Sequence, residues 1–524
     1  MGFNFKTLLL LLVAGTLPAL PWLESFSGYI AFIALIPLLA LEDAYYNKQY
    51  SKSVVNVFFN SYFIFAIWNL ISFWWAAKAT VFGLLAPLLI NSGLYAFMFT
   101  FYHWLRKKIP DKGSFYLLPA VWLSFEYFHH HWDLSFPWLS LGNALGKEIS
   151  SIQWYEYTGV LGGSLWILVI NILIYKLLMQ SSLKLTLGRI GILILLVSIP
   201  LVFSYYLLGK QQVSDKYTPV IIVQPNINPY TEKFAKPQQL HNIRKMVQLV
   251  PDSMLTPGSL VIFPETAISA FVKESDFDTD SQFLLLRTLL DKQRDIAIIT
   301  GALTYSIDSS SLQTPDTKPV YHFFNSAVFL DSAEIQVYHK QKLLPGAEKM
   351  PFTSVLRFLQ NFKINLPGGI TWYSTVPGVE KFSTSNANIS TVICYESVYG
   401  DYFRSVDAGL SDFIVIITND GWWGNTTGHI RHLRFAQTRA IEYRKNIARC
   451  ANTGISAFIN YKGEIEQLAA YDTISVLKSD VYNGSRVTFY AKHGDWIGKI
   501  AAFLLFLAVI WGLFLKIRHK KVLS

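Results

Sequence analysis

Apolar runs of roughly twenty residues, long enough to cross a bilayer, recur through the first 210 positions of the chain. They lie near 7–23, 27–42, 54–77, 80–104, 114–129, 151–179 and 188–208, and an eighth runs from about 496 to 515. The first follows Lys6 as a secretory leader would. No small-residue cleavage site follows it cleanly, and the next run starts within a few residues, so the pattern predicts a retained helix. From about 218 the pattern changes to short apolar runs with polar breaks: 220–223, 260–263, 296–301, 325–330, 335–340, 389–393 and 413–417. Helical periodicity falls between them at 238–250, 280–294 and 430–447. Strands of four to six apolar residues alternating with helices predict a layered α/β domain.

Charge divides the chain in the same way. The first 210 residues hold 21 charged side chains and the remaining 314 hold 59. Overall 52% of residues are hydrophobic, 15% aromatic and 15% charged, against about 25% charged in ordinary soluble proteins. Mean hydropathy is +0.31. These values exclude a disordered chain and an ordinary cytosolic enzyme. The net charge of +10 does not indicate nucleic acid, because the basic residues sit in short clusters beside apolar runs. Lys48 and Lys52, then Arg106, Lys107, Lys108 and Lys112, then Lys176, Lys184 and Arg189, fall in alternate loops, and Lys516, Arg518, Lys520 and Lys521 follow the last run. The opposite loops have little beyond Lys78 and Lys147. With basic loops cytoplasmic, both termini are predicted inside, and seven crossings carry the soluble part to the far side.

The expected organisation is therefore a seven-helix membrane domain over 1–210, a soluble domain over 218–492, an eighth crossing at 496–515 and a basic cytoplasmic tail at 516–524. Glu126 and Glu156 lie in or beside the apolar runs and read as helix-end or pairing residues, with a functional role as the alternative. His129, His130 and His131 are adjacent and cannot all face one ion from regular structure. Phe136-Pro137-Trp138 reads as an interfacial aromatic anchor with proline stopping a helix.

Three residues at strand ends stand out chemically: Glu265 after Pro264, Lys340 in Tyr338-His339-Lys340, and Cys394 in Cys394-Tyr395-Glu396. A thiol needs a base to become a good nucleophile, a carboxylate can take its proton, and an ammonium stabilises thiolate and oxyanion. Spacing alone does not bring the three together. The other cysteine, Cys450, has small neighbours and reads as a packing residue. Two cysteines cannot build a disulfide framework, and a single bridge would need an oxidising compartment.

With their flanks these residues carry a resemblance. Phe263-Pro264-Glu265-Thr266-Ala267, Tyr338-His339-Lys340 with Leu344-Pro345-Gly346-Ala347-Glu348, and Ile393-Cys394-Tyr395-Glu396 resemble, in that order, the signature regions of the nitrilase (carbon–nitrogen hydrolase) superfamily. Asn419-Asp420-Gly421-Trp422-Trp423-Gly424 and Arg439-Ala440-Ile441-Glu442 are similar to its later motifs. Such a domain between seven crossings and a final one resembles the bacterial apolipoprotein N-acyltransferase family. The chain departs from common patterns at Leu344–Glu348, where many relatives read Pro-Phe-Gly-Glu, and at Trp423, where Phe is common.

The resemblance implies an extracytoplasmic α-β-β-α sandwich and a ping-pong acyl transfer in the bacterial inner membrane. Glu265 would be the base, Lys340 the oxyanion cation and Cys394 the nucleophile, with Glu348, Tyr395, Glu396 and Trp422 in support. The implied donor is a phospholipid, phosphatidylethanolamine, and the acceptor a diacylglyceryl apolipoprotein. Neither metal nor organic cofactor is implied, and a monomer is expected. Phe352, Val355, Leu356 and Leu359 follow helical spacing and suit either a core stripe or a lipid-facing lid. Two other readings share the sequence: a membrane-tethered amidase, and a lipid-binding or transport protein without enzymatic activity.

Overall fold

The computed structural model describes residues 5–47, 53–109, 113–179, 183–211, 214–308, 319–353, 372–376, 381–484 and 486–523. The chain divides into two compact units, one of residues 1–210 with 493–524 and the other of 211–492.

In the first unit seven helices are long and apolar enough to cross a membrane: Phe5–Trp22, Gly28–Tyr46, Val54–Lys78, Val81–Lys108, Tyr155–Leu178, Thr186–Gly209 and Trp496–Ile517. The fifth expected crossing, 114–129, is shorter than the others. Its α-helix, Leu117–His129, has 13 residues, about 20 Å at 1.5 Å per residue, after a single 3-10 turn at Ser114–Tyr116. Beyond it the chain winds through short 3-10 turns rather than a continued helix.

Several polar side chains inside this unit are paired, as buried hydrogen-bonding groups commonly are. Glu126 Oε1 accepts from Trp122 Nε1 (3.0 Å) and from the Leu141 amide (2.8 Å), so it ties the short helix to the following turns. Glu156 is buried in the first turn of Tyr155–Leu178. The three histidines diverge: His129 reaches Asn91 (2.9 Å), His130 reaches Ser140 (2.8 Å) and His131 reaches the Tyr127 carbonyl (2.7 Å).

Two expectations need correction here. Pro137 opens a 3-10 turn instead of ending a helix, and Trp138 is buried against Phe73 and Trp75. Arg106 lies in the last turn of helix Ser92–Lys108 rather than in a loop: it is buried, contacts Glu42, and donates to Asp43 at 2.8 Å.

The second unit is built on two β-sheets. The first contains β1 (Tyr217–Gln224), β2 (Leu260–Ile262), β3 (Ile268–Lys273), β4 (Ala297–Ile307), β5 (Tyr321–Leu330), β6 (Ile335–His339) and β13 (Ser475–Tyr482). Its order is β13-β1-β2-β4-β5-β6, with β3 also paired to β4. The second contains β7 (Phe382–Ser383), β8 (Asn388–Ile393), β9 (Phe413–Thr418), β10 (Ile447–Ala451), β11 (Ser456–Ile459) and β12 (Ile465–Ala469), in the order β12-β11-β10-β9-β8-β7. Each sheet has a parallel centre, β1-β2-β4 in one and β8-β9-β10 in the other. Parallel centres are buried on both faces, which suits the Val- and Ile-rich runs of β1, β2 and β9.

Alternation assigns the faces. Ile221, Val223, Val261, Phe263 and Ile298 share a core with Ile243 and Met246 of helix Gln239–Gln248 and with Phe283, Leu286 and Leu289 of helix Ser281–Leu290. The opposite face meets the second sheet, where Cys450 Sγ of β10 lies 3.3 Å from the Val223 carbonyl and 3.4 Å from that of Ile262. Helix Thr427–Tyr443 packs on β10 and β11 of the second sheet. The result is an α-β-β-α sandwich in which Cys450 is a buried packing residue. Both cysteines are free thiols, so no bridge joins them.

Candidate active site

Each chemically notable residue lies just past the end of a strand, where backbone hydrogen bonding stops and the chain can turn. Phe263 still bonds to β4 (N to Ile299 O, 2.8 Å), as does the Pro264 carbonyl (from Gly301 N, 3.2 Å). Thr266 then adopts a left-handed φ of 49°, turning the chain immediately after Glu265. A side chain at Gly301 would meet Thr266 N at 2.4 Å and Glu265 Cα at 2.6 Å. The bare glycine therefore lets the Glu265 turn lie directly on β4. Gly301→Ala is expected to cost about 1–3 kcal/mol through overpacking and to slow turnover on the order of 100-fold by displacing the carboxylate. Thermal unfolding and single-turnover rates check both.

Lys340 follows β6 and is fixed by its backbone N–H donating to the Asn325 carbonyl (2.8 Å). Cys394 follows β8 with φ 49°, a strained value for a residue with a Cβ. The turn is held from behind. Glu396 Oε1 accepts from the amides of Gln341 (2.7 Å) and Lys342 (3.2 Å), and Oε2 from the amide of Ile393 (2.8 Å). The Tyr338 hydroxyl also donates to this carboxylate (2.7 Å). Glu396 thus clamps the Cys394 turn of one sheet to the Lys340 loop of the other.

The structure brings Glu265, Lys340 and Glu348 into one cluster beside Cys394. Lys340 Nζ lies 3.1 Å from Glu265 Oε1 and 2.7 Å from Glu348 Oε1. Asn325 Nδ2 donates to Glu265 Oε1 at 2.9 Å. Burial pushes the Glu265 carboxyl up, but Lys340, Asn325 and Lys233 together outweigh it and hold the group below its ordinary value. Burial pushes Lys340 down, yet Glu265 and Glu348 raise it well above the usual lysine range. Burial, followed by the Glu265 charge, pushes the Cys394 thiol up, while Lys340 pulls the other way. These shifts favour a neutral thiol and an ionised carboxylate at rest. Moving the proton from sulfur to Glu265 removes the negative charge that disfavoured the thiolate, so the two titrations are coupled.

The remaining predicted residues are more peripheral. Tyr395 is buried edge-on against Tyr399, ring centroids 5.2 Å apart. Trp422 packs on Tyr230 (5.3 Å) and stacks with Phe234 (6.2 Å), forming an aromatic cluster on the loops after β1 and β9. Phe352 is in a turn with φ 50°; Val355, Leu356 and Leu359 lie outside the described residues.

Three features escaped the sequence reading. Asn325 is a buried polar position, beside Ser326, in the largely apolar strand β5, a signal that was available. A network under the nucleophile joins Arg449 Nη2 to Asp420 Oδ2 (2.6 Å), Asp420 Oδ1 to His432 Nδ1 (2.8 Å) and His432 Nε2 to the Cys394 carbonyl (3.1 Å). Burial raises the Asp420 carboxyl, but Arg449 and His432 outweigh it and hold the group far below the ordinary range. Donor atoms of Cys394, Asp420 and His432 lie within 4.8 Å of one another. The Asp420 carboxylate is already engaged by Arg449, His432 and Thr418 (2.8 Å), a cationic setting that opposes a metal ion. Lys233, the third feature, is a lone lysine in a polar stretch and gave no signal.

Residues 14–173 match the family described as apolipoprotein N-acyltransferase N-terminal domain, and residues 220–483 match carbon–nitrogen hydrolase. The chain is 25% identical over 486 residues to an apolipoprotein N-acyltransferase of Chlorobaculum tepidum, covering 90% of this chain and 89% of that one. It is 28% identical over 434 residues to that of Vibrio parahaemolyticus, covering 79% and 77%. Among solved structures it is similar to a CN-hydrolase superfamily protein of Xanthomonas campestris, with TM-score 0.35, 15% identity and coverage of 51% of this chain and 90% of that one. Half of the sequence is the hydrolase match and an acyltransferase N-terminal domain precedes it, so the chain belongs to the carbon–nitrogen hydrolase family, in its apolipoprotein N-acyltransferase branch, and is an N-acyltransferase.

Proposed function

We propose that the chain moves the sn-1 acyl chain of a phospholipid, phosphatidylethanolamine, through a Cys394 thioester to the α-amino group of a diacylglyceryl-cysteine at a lipoprotein N-terminus. In the first half-reaction Glu265 takes the Sγ proton and the thiolate adds to the ester carbonyl. Lys340, held by Glu348, faces the oxyanion. The ester C–O bond breaks, and the lysophospholipid alkoxide leaves with the proton from Glu265. In the second, the lipoprotein amine adds to the thioester, Glu265 takes the amine proton, the C–S bond breaks and the proton returns to sulfur. Atoms balance with no further reactant.

The observation that carries this reading is the buried Glu265–Lys340–Glu348 cluster beside a strained cysteine, in a chain with seven helices able to cross a membrane. A soluble substrate would need no such helices. The catalytic domain, 218–492, is assigned to the periplasmic side of the inner membrane, with both termini cytoplasmic and the chain a monomer. Loop lysines support that side, provided 114–129 completes a crossing. Its 3-10 turn and helix together extend about 26 Å, close to the roughly 30 Å of a hydrocarbon core.

Intact-protein mass spectrometry after incubation with phosphatidylethanolamine tests the reading. One acyl chain added at Cys394, then discharged by a diacylglyceryl lipopeptide as an amide, is the expected result. Discharge by water but not by the lipopeptide, or no adduct at all, would overturn it.

A further inference from the structure

Cys394 has a φ of 49°, a left-handed value that a residue with a Cβ adopts only where its surroundings impose it. The peptide before it is fixed by the Ile393 amide donating to Glu396 (2.8 Å). The peptide after it is fixed through its oxygen: the Cys394 carbonyl accepts from Ser397 Oγ at 2.7 Å and lies 3.1 Å from His432 Nε2. His432, on helix Thr427–Tyr443, is buried, and its ring stands edge-on to Trp423 with centroids 5.7 Å apart.

The ring is itself held from behind. Its Nδ1 lies 2.8 Å from Asp420 Oδ1, on the turn after β9, and Asp420 Oδ2 accepts from Arg449 Nη2 of β10 at 2.6 Å. Thr418 Oγ1 also donates to Asp420 Oδ1 (2.8 Å). Nδ1 therefore faces a carboxylate. Nε2 faces the Cys394 carbonyl and, at 2.9 Å, Ser397 Oγ, whose one proton goes to that carbonyl. Each of these contacts is a hydrogen bond only when both ring nitrogens donate, with Asp420 as the counter-charge. Arg449, Asp420 and His432 form a line of bonds that ends on the main chain of the nucleophile.

We propose that His432 is a positioning residue for Cys394: its Nε2–H, aimed by Asp420 and Arg449, holds the Cys394 carbonyl and so keeps the turn that directs Sγ at the acyl carbonyl. The inference rests on Cys394 being the nucleophile. A trans peptide is planar, so anchoring its oxygen fixes the plane that begins at Cys394 Cα. Released, that plane rotates, and Cys394 relaxes from the left-handed region toward ordinary backbone geometry, carrying Cβ and Sγ with it. A shift of about 1 Å at a reacting atom costs on the order of 100-fold in rate. Ser397 does not replace the ring, because it belongs to the same 3-10 turn, Cys394–Val398, and moves with it. His432 holds the carbonyl from a separate helix. Its removal leaves Asp420 paired with Arg449 and Thr418, so the fold should survive the loss.

The test compares His432→Asn, His432→Gln and His432→Leu with wild type in the full-length protein. The Asn amide takes the place of Nδ1 and can bond Asp420, whereas the Gln amide takes the place of Nε2 and can bond the Cys394 carbonyl. A residue that merely tied its helix to Asp420 would be replaced better by Asn. The readout is the rate of Cys394 acylation by p-nitrophenyl butyrate, followed as the p-nitrophenolate burst and located by peptide mass spectrometry, with melting temperature as the fold control. Acylation on the order of 100-fold slower is expected in Asn and Leu, with Gln about tenfold faster than Asn. Asn and Gln differ by one methylene and both keep the site polar, so their comparison stands even where Leu does not fold. Folded Asn as fast as Gln or faster, or Leu at the wild-type rate, would overturn the proposal. Failure of the acyl transfer reads differently. A wild type acylated at Cys394 by the butyrate ester and not by phosphatidylethanolamine refutes the phospholipid donor alone, and one acylated by neither refutes both.

Discussion

Cys394→Ala is expected to abolish the acyl-enzyme and to slow lipopeptide N-acylation on the order of 10⁴-fold or more, the scale seen when a nucleophile is removed. The fold should survive, because alanine keeps the Cβ and the turn is held by Glu396, Ser397 and His432 rather than by sulfur. Cys450→Ala is the matched control. Its sulfur is buried between the sheets, so its loss should cost about 1–2 kcal/mol and leave transfer near wild type. N-acylation rates and melting temperatures of the two variants decide the matter. Transfer retained without Cys394 and lost without Cys450 would invert the assignment.

Lys340→Met should combine two large effects. The oxyanion loses its cation, for which a fall on the order of 10³-fold is expected. Glu265 and Glu348 also lose their shared partner. Breaking a buried pair from one side costs about 3–5 kcal/mol. The sign of the pH dependence follows from the two shifts. Glu265 is depressed, so its contribution is present above the ordinary carboxylate value of about 4.3 and is lost as pH falls through its folded value. Lys340 is raised, so its contribution is present below the ordinary lysine value of about 10.4 and is lost as pH rises through its folded value. The deficit in melting temperature should be greatest between those limits and shrink in acid. Adding Glu265→Gln removes one stranded charge and should restore part of the stability and none of the activity. A single variant as stable as wild type at neutral pH would show that the pair is not coupled as described.

Much of the second unit was legible in sequence because its strands are buried on both faces. Runs such as Val220–Val223 and Ile414–Ile417 have no polar face to blur the period, and their ends are marked by Gln224-Pro225, Pro264-Glu265 and Asn419-Asp420. Strands in less apolar stretches, such as Ile465–Ala469 and Ser475–Tyr482, were not anticipated, since half-exposed edge strands mix polar and apolar residues. In the membrane unit the run 114–129 ends where its helix ends, at His129, but hydropathy does not distinguish the opening 3-10 turn from the 13-residue α-helix that follows it.

The sequence alone determined the division between two solvents, the alternation of strands and helices, and the presence of a carboxylate, an amine and a thiol at three strand ends. Those properties depend on neighbours a few residues apart. Tertiary structure decided which of these groups meet. Glu265 and Lys340 come from one sheet and Cys394 from the other, and Glu396 joins the two turns. It also decided their ionisation, because burial and charges brought from distant positions, not residue type, set each proton affinity. Lys233 shows the difference most plainly: an unremarkable lysine in the chain becomes, once folded, a buried ammonium donating to the Glu265 main-chain carbonyl.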